Sequence, residues 1–218
     1  MITLLDLSEF IVDCEHKTAL LAQSGYPSIR TPNVGYGRLI LEGVNRVDED
    51  TYQAWSRRAT PQADDLIIAR EAPLGNVAII PKGLKVCLGQ RTVLVRPDKS
   101  KVSPAYLCYF LLGDYAQGLF HGSSIGATVP HLNMKDIRGL PIPELPPLQT
   151  QRRIASILSA YDDLIENNTR RIAILEEMAR RIYEEWFVRF RFPGHEQVRM
   201  VESELGFIPE GWGVVRLD

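Results

Sequence analysis

At 218 residues and 24.6 kDa the chain is long enough to bury a core without disulfides or bound metal. Its 45% hydrophobic and 24% charged residues, with a net charge of -2, exclude a disordered chain and a uniformly basic coat for nucleic acid. Cys14, Cys87 and Cys108 form no CxxC pair and are odd in number, so they read as reduced thiols rather than a disulfide frame or zinc site. No run reaches the roughly 18 apolar residues of a membrane span. Asp6 and Glu9 stand where a secretory leader needs basic and then apolar residues, so a cytoplasmic protein with no membrane partner is expected.

In chain order, residues 1–145 read as a mixed α/β domain of short elements. Strands are predicted at Arg38–Leu41, Leu66–Arg70, Val77–Ile80 and Thr92–Arg96, each apolar, partly β-branched and bounded by Gly, Pro or Asp. One helix is marked by Ser103 as N-cap, Pro104 at the first position and Gly113 as the stop. The irregular mixture predicts an α+β fold rather than a doubly wound sheet.

Glycine and proline, 30 residues together, avoid the window from Leu148 to Phe192 entirely. Pro146-Pro147 opens it and Pro193-Gly194 closes it, which predicts a long helix over 146–192 and a C-terminal linker over 193–218. Apolar side chains step by fours and threes through Ile154, Leu158, Tyr161, Ile165, Ile172, Leu175, Ala179, Ile182 and Trp186, with Asn168 as the polar member. Such a heptad seam predicts a coiled-coil partner, and a buried Asn in it would set register. A helix of about 40 residues is about 60 Å long, more than a domain of this size covers alone. Antiparallel pairing about position 170 sets Ile154 against Trp186, Leu158 against Ile182, Tyr161 against Ala179 and Ile165 against Leu175.

Charge divides at the same place. Residues 1–150 hold 15 basic and 15 acidic side chains, whereas residues 151–218 hold 10 Arg, no Lys and 12 acids. Basic and amide side chains of the first part fall beside predicted turns, and Arg, Asn and Gln are the residue types that fork onto base edges. The candidates for reading DNA are Arg30, Asn33, Arg70, Asn76, Gln90, Arg91, His121, Ser123, Ser124 and Lys135.

Catalytic motifs are missing. The chain has no glycine-rich cofactor loop with an Asn/Asp-Pro-Pro-aromatic tetrad, no Walker A sequence and no Gly-x-Ser-x-Gly elbow. Glu15-His16-Lys17 after Asp6 or Asp13 imitates a magnesium-nuclease pattern only weakly, and His16, His121, His131 and His195 are too scattered for a ligand set. A non-enzyme without metal or cofactor of its own is expected.

His131-Leu132-Asn133-Met134-Lys135-Asp136-Ile137, Leu140-Pro141-Ile142-Pro143, Gln151-Arg152-Arg153-Ile154 and Asp162-Asp163-Leu164-Ile165 together resemble the specificity (S) subunit of type I restriction-modification enzymes. Tyr183-Glu184-Glu185-Trp186-Phe187 through Phe192-Pro193-Gly194, and Leu205-Gly206-Phe207-Ile208-Pro209-Glu210-Gly211-Trp212, are similar to that family's helix end and the lead-in to its next recognition domain. Thr150 departs from the acid often found before the glutamine. The resemblance implies a non-catalytic reader of double-stranded DNA: a target-recognition domain and a long helix, a unit that occurs twice in a complete subunit. It also implies methyltransferase subunits using S-adenosylmethionine and a restriction subunit using ATP and magnesium as partners. Only one unit is present, and Val214-Val215-Arg216-Leu217-Asp218 echoes Ile2-Thr3-Leu4-Leu5-Asp6 as if a second were beginning. A homodimer through the helix, reading an interrupted palindrome, is therefore expected. Its rivals are a truncated two-domain subunit and a coiled-coil adaptor without sequence preference.

Overall fold

A computed structural model describes residues 2–122, 130–204 and 206–213. The chain divides into two compact units, Met1–Ser159 and Ala160–Asp218.

The first unit is built on a four-stranded antiparallel sheet in the order β2-β8-β5-β6, comprising Ser8–Asp13 (β2), Thr92–Pro97 (β8), Leu66–Ala69 (β5) and Val77–Ile79 (β6). Leu66-Ile67-Ile68-Ala69 and Thr92-Val93-Leu94-Val95 are unbroken buried runs. Successive strand side chains point to opposite faces, so such runs require cover on both sides of the sheet. Leu66, Ile68, Val77, Val93 and Val95 enter one core with Leu107, Leu111, Phe120, Leu132 and Ile137. Ile67, Ala69, Ala78 and Leu94 enter a second core with Ile29, Val34, Val86 and Leu88.

The second core leans on a three-stranded sheet, β4-β3-β7, from Arg46–Val47 (β4), Tyr26–Ile29 (β3) and Cys87–Leu88 (β7), in which β3 and β7 run parallel. A short helix, Glu49–Trp55 (α1), follows β4, capped by Asp48, whose side chain accepts the Thr51 N–H. Helices Pro104–Leu112 (α2), Asp114–Gly122 (α3) and Met134–Arg138 (α4) lie over the first core. Ile2–Thr3 (β1) pairs with Pro141–Ile142 (β9), tying the start of the chain to the residues just ahead of the long helix.

Of the four predicted strands, β5, β6 and β8 form as expected. Arg38–Leu41 does not: Leu39 makes an isolated bridge to Val34, and the Ile40 N–H donates to the Asn33 carbonyl, closing a tight loop. Gly35 N–H donates to the Arg38 carbonyl within this turn, and Gly37 bonds instead to Val77 and Ile79 of β6. Ser103 stands at the N-cap of α2, but its hydroxyl makes no cap bond. Its backbone N–H instead donates to Gln151 Oε1 at 2.8 Å, while Gln151 Nε2 donates to the Pro146 carbonyl at 2.8 Å.

Gln151 belongs to the long helix Leu148–Tyr183 (α5), whose first turns enter the first unit through Gln151 and Ala155. The predicted helix to Phe192 ends earlier. After Tyr183 a π-helical turn spans Glu184–Val188, with Arg189 N–H donating to the Glu184 carbonyl, and Phe190 reaches φ 54°. The extra residue per turn gathers aromatic rings: Phe187, Phe190 and Phe192 lie 5.5, 5.7 and 5.4 Å from Trp212, centroid to centroid. Trp212 follows a hairpin of Met200–Ser203 (β10) and Gly206–Pro209 (β11) within the second unit.

Because both ends of the Gln151 amide are used and the residue is 1% exposed, its loss strands a buried N–H and a carbonyl. Gln151→Leu is expected to lower stability by about 1–3 kcal/mol, read from the midpoint of urea unfolding.

Candidate nucleic-acid interface

The predicted base-reading residues are scattered over 100 positions of sequence, yet the first unit links most of them. Parallel pairing of β3 with β7 places Arg30, the residue after Ile29, beside Gly89. Gly89 N–H donates to the Ile29 carbonyl at 2.7 Å, and a Cβ at Gly89 would stand 2.5 Å from Arg30 Cγ. Only glycine allows that approach, which brings exposed Arg30 alongside Gln90 and Arg91. Arg30 also opens the turn that Asn33 closes: Asn33 Oδ1 accepts the Arg30 N–H, and its Nδ2 donates to the Ile40 carbonyl. Asn76 joins the set by donating from Nδ2 to the Val34 carbonyl at 3.0 Å. Both amides thus shape loops in the free protein.

Gln90 and Arg91 line a polar cavity of about 300 Å³ together with His16, Arg70 and His131. Gln90 Nε2 donates to Thr18 Oγ1 at 3.2 Å. Arg91 is a left-handed residue at φ 65°, and Glu71 pairs with its guanidinium. Arg70 is different, being only 7% exposed. Its Nε donates to the Leu132 carbonyl at 2.8 Å, Nη1 to Asp13 Oδ2 at 2.6 Å and Nη2 to His131 Nε2 at 2.7 Å. These bonds make Arg70 an internal tie between β2, β5 and the segment ahead of α4. A larger, mostly apolar groove at Ile2, Leu5, Ile142, Pro146 and Leu148 shares no residue with this cavity and holds none of the predicted base-reading residues.

His121 ends α3, which is held to the loop before β6 by Gln117 Nε2 donating to the Gly75 carbonyl. Lys135 is exposed on α4. Ser123 and Ser124 lie outside the described residues. Asp13, His16, Glu71 and His131 are polar partners of the cavity that sequence reasoning did not assign to it; the only signal was their scattering next to predicted turns. Of the weak nuclease pattern, Asp13 Oδ2 accepts from Arg70 and Glu15 pairs with Arg58 at 3.2 Å.

On α5 the seam residues from Ile154 to Trp186 that are large and apolar are 37–63% exposed, and Asn168 and Ala179 are exposed as well. Ile157, Leu164 and Met178 are also exposed, widening the stripe by one position beyond the seam. Trp186 falls inside the π-helical turn, so the 3.6-residue period holds from Ile154 to Ile182 and shifts at its last member. Arg170 pairs with Glu166, and Arg180 and Arg181 with Glu177, along the helix's own surface.

The His131 bonds require one tautomer: Nε2 accepts from Arg70 while Nδ1–H donates to Glu71 Oε1 at 3.0 Å. Burial, then the charges of Arg70 and Arg91, hold its pKa below the ordinary 6.5. The unfolded chain therefore takes up this proton first, so stability is complete above about pH 6.5 and declines as pH falls through the folded-state value. Urea midpoints are expected to drop between about pH 7 and pH 5, and His131→Asn is expected to lessen that drop.

The family model for the type I restriction modification DNA specificity domain matches residues 16–177. The MjaIX specificity subunit of a type I restriction enzyme from Methanocaldococcus jannaschii is 33% identical over 179 residues, 82% of this chain and 40% of that protein. A putative MjaX specificity subunit from the same organism is 29% identical over 88% of this chain and 45% of its own length. Among solved structures, the S subunit of a type I restriction-modification system from M. genitalium has a TM-score of 0.61 at 18% identity, covering 86% of this chain and 45% of that one. This likeness confirms the mixed helix-and-strand fold with its long helix. The chain spans less than half the length of the relatives it matches, and those relatives are named as specificity subunits, in keeping with an expected non-enzyme. With the family model covering residues 16–177, well over half of its length, the chain belongs to the type I restriction modification DNA specificity domain family.

Proposed function

We propose that this chain is the sequence-reading component of a type I restriction-modification complex, recognising one half of a bipartite target in double-stranded DNA and working as a homodimer. The loops around the polar cavity supply the reading surface, with Arg30, Gln90 and Arg91 gathered at it. Phosphate contacts by Lys and Arg set affinity and its salt dependence, while groove contacts set sequence.

The observation that carries the dimer is the exposed stripe on α5, from Ile154 to Ile182. Leaving that many large aliphatic side chains in water forfeits about 25 cal/mol for each Å² of apolar surface, and a second copy in antiparallel register recovers it. Two identical recognition domains then read inverted half-sites, which makes the target an interrupted palindrome. Methyltransferase subunits with S-adenosylmethionine and a restriction subunit with ATP and magnesium dock on the dimer, in the cytoplasm with the DNA. No helix among the described residues is long and apolar enough to cross a membrane. The coverage of less than half of each relative favours a second reading, a piece of a two-domain subunit whose other half reads another sequence.

Co-expression with a cognate methyltransferase subunit and mapping of methylated adenines on an unmodified genome tests both. A palindromic bipartite motif is expected; an asymmetric motif supports the second reading, and wild-type complexes without sequence preference leave only an adaptor role. Ile165→Asp or Leu175→Asp is expected to yield monomers by sedimentation, since each buries an unpaired charge at the seam. Arg91→Ala is expected to cost about 1–3 kcal/mol of specific binding and to relax one target position, measured on single-base variants of the selected site.

A further inference from the structure

Behind the polar cavity runs a chain of charges that the DNA-reading proposal leaves unused. Asp13 at the end of β2 accepts from Arg70, Arg70 donates to His131, His131 donates to Glu71, and Glu71 pairs with Nη1 of Arg91. The chain starts at Asp13, 17% exposed, passes through buried Arg70 and finishes at Arg91, 56% exposed beside the cavity.

The backbone of Arg91 is set independently of its side chain. Its N–H donates to Cys14 Sγ at 3.2 Å and its carbonyl accepts from the Arg70 N–H at 2.9 Å, holding φ at 65°. A left-handed arginine persists only where its surroundings over-determine it, and such residues concentrate at functional sites. With Nη1 taken by Glu71, the Nε and Nη2 groups form the remaining edge of the guanidinium, two parallel donors of the kind that match O6 and N7 of guanine. The Glu71 carboxylate also offsets the arginine's charge, which weakens its attraction to phosphates of any sequence.

We propose that Glu71 and His131 are positioning residues for Arg91, presetting its guanidinium to read one base pair while muting its pull on the DNA backbone. Arg70 and Asp13 anchor the pair to the core. This inference rests on the DNA-reading proposal above.

The test uses the full chain as wild type, Arg91→Lys, Glu71→Gln and His131→Asn. Each is selected against a randomised DNA duplex, then titrated with the selected site and a scrambled duplex over a salt series. All three variants are expected to relax the same single position by about tenfold. Glu71→Gln is further expected to bind the scrambled duplex more tightly, with a salt dependence steeper by about one phosphate contact. A merely structural role would weaken both duplexes together. Relaxation of different positions, or uniform weakening by folded Glu71→Gln, overturns the positioning role. Glu71→Asp keeps the charge on a shorter arm and stands in if Glu71→Gln unfolds, with displacement of the same position expected and an unchanged profile overturning the role. A wild-type chain that selects no sequence at all fails the DNA-reading proposal itself, and this inference falls with it.

Discussion

The guanidinium of Arg70 is the constraint on which the recognition unit turns. A buried charge is tolerable only when it is paired and hydrogen-bonded, and its three bonds reach two separate stretches of chain: Asp13 at the end of β2, and the adjacent residues His131 and Leu132. The Leu132 N–H returns a bond to the Arg70 carbonyl at 2.9 Å, so the end of β5 and the segment before α4 are clamped in both directions. Loops that would otherwise sample many shapes are held against a sheet that is itself buried on both faces. Arg91 and Gln90 extend from this clamped region, a rigid base of the kind the proposed sequence-reading role calls for.

The second unit obeys an opposite logic. From its fourth turn α5 has no buried side chain in the single chain, and its apolar stripe is exposed from Ile157 to Ile182. Its ion pairs along the surface, such as Arg181 with Glu177, contribute little to stability. A 36-residue helix with such a stripe is held mostly by packing, and that packing is what the proposed dimer would add. At its far end the π-helical turn and the aromatic cluster on Trp212 stop the helix where simple periodicity would have carried it on to Pro193.

Much of the architecture was legible because it is local. The unbroken apolar runs of β5 and β8, the Ser103-Pro104 start of α2 and the glycine- and proline-free window before Pro193 announce themselves by residue type and spacing. Short pairings were not legible: β1 with β9, and β3 with β7, each pair two residues with two partners that lie 59 or more positions away. Arg38–Leu41 has a strand's composition but sits between Gly37 and Gly43 in a loop closed by Asn33.

The candidate surface shows the same division. Residue chemistry singled out Arg30, Asn33, Asn76, Gln90 and Arg91, because arginine and amide side chains beside turns are distinctive in one dimension. Periodicity likewise announced the helix and the apolar stripe that it leaves exposed, since an amphipathic stripe is written in consecutive residues. Folding alone separated Arg70 from the rest of that set, burying it as a tie between distant segments. It also recruited Asp13, Glu71 and His131 to Arg91's side. Those assignments depend on which distant segments touch, and burial and ion pairing are properties of the packed chain that no local pattern encodes.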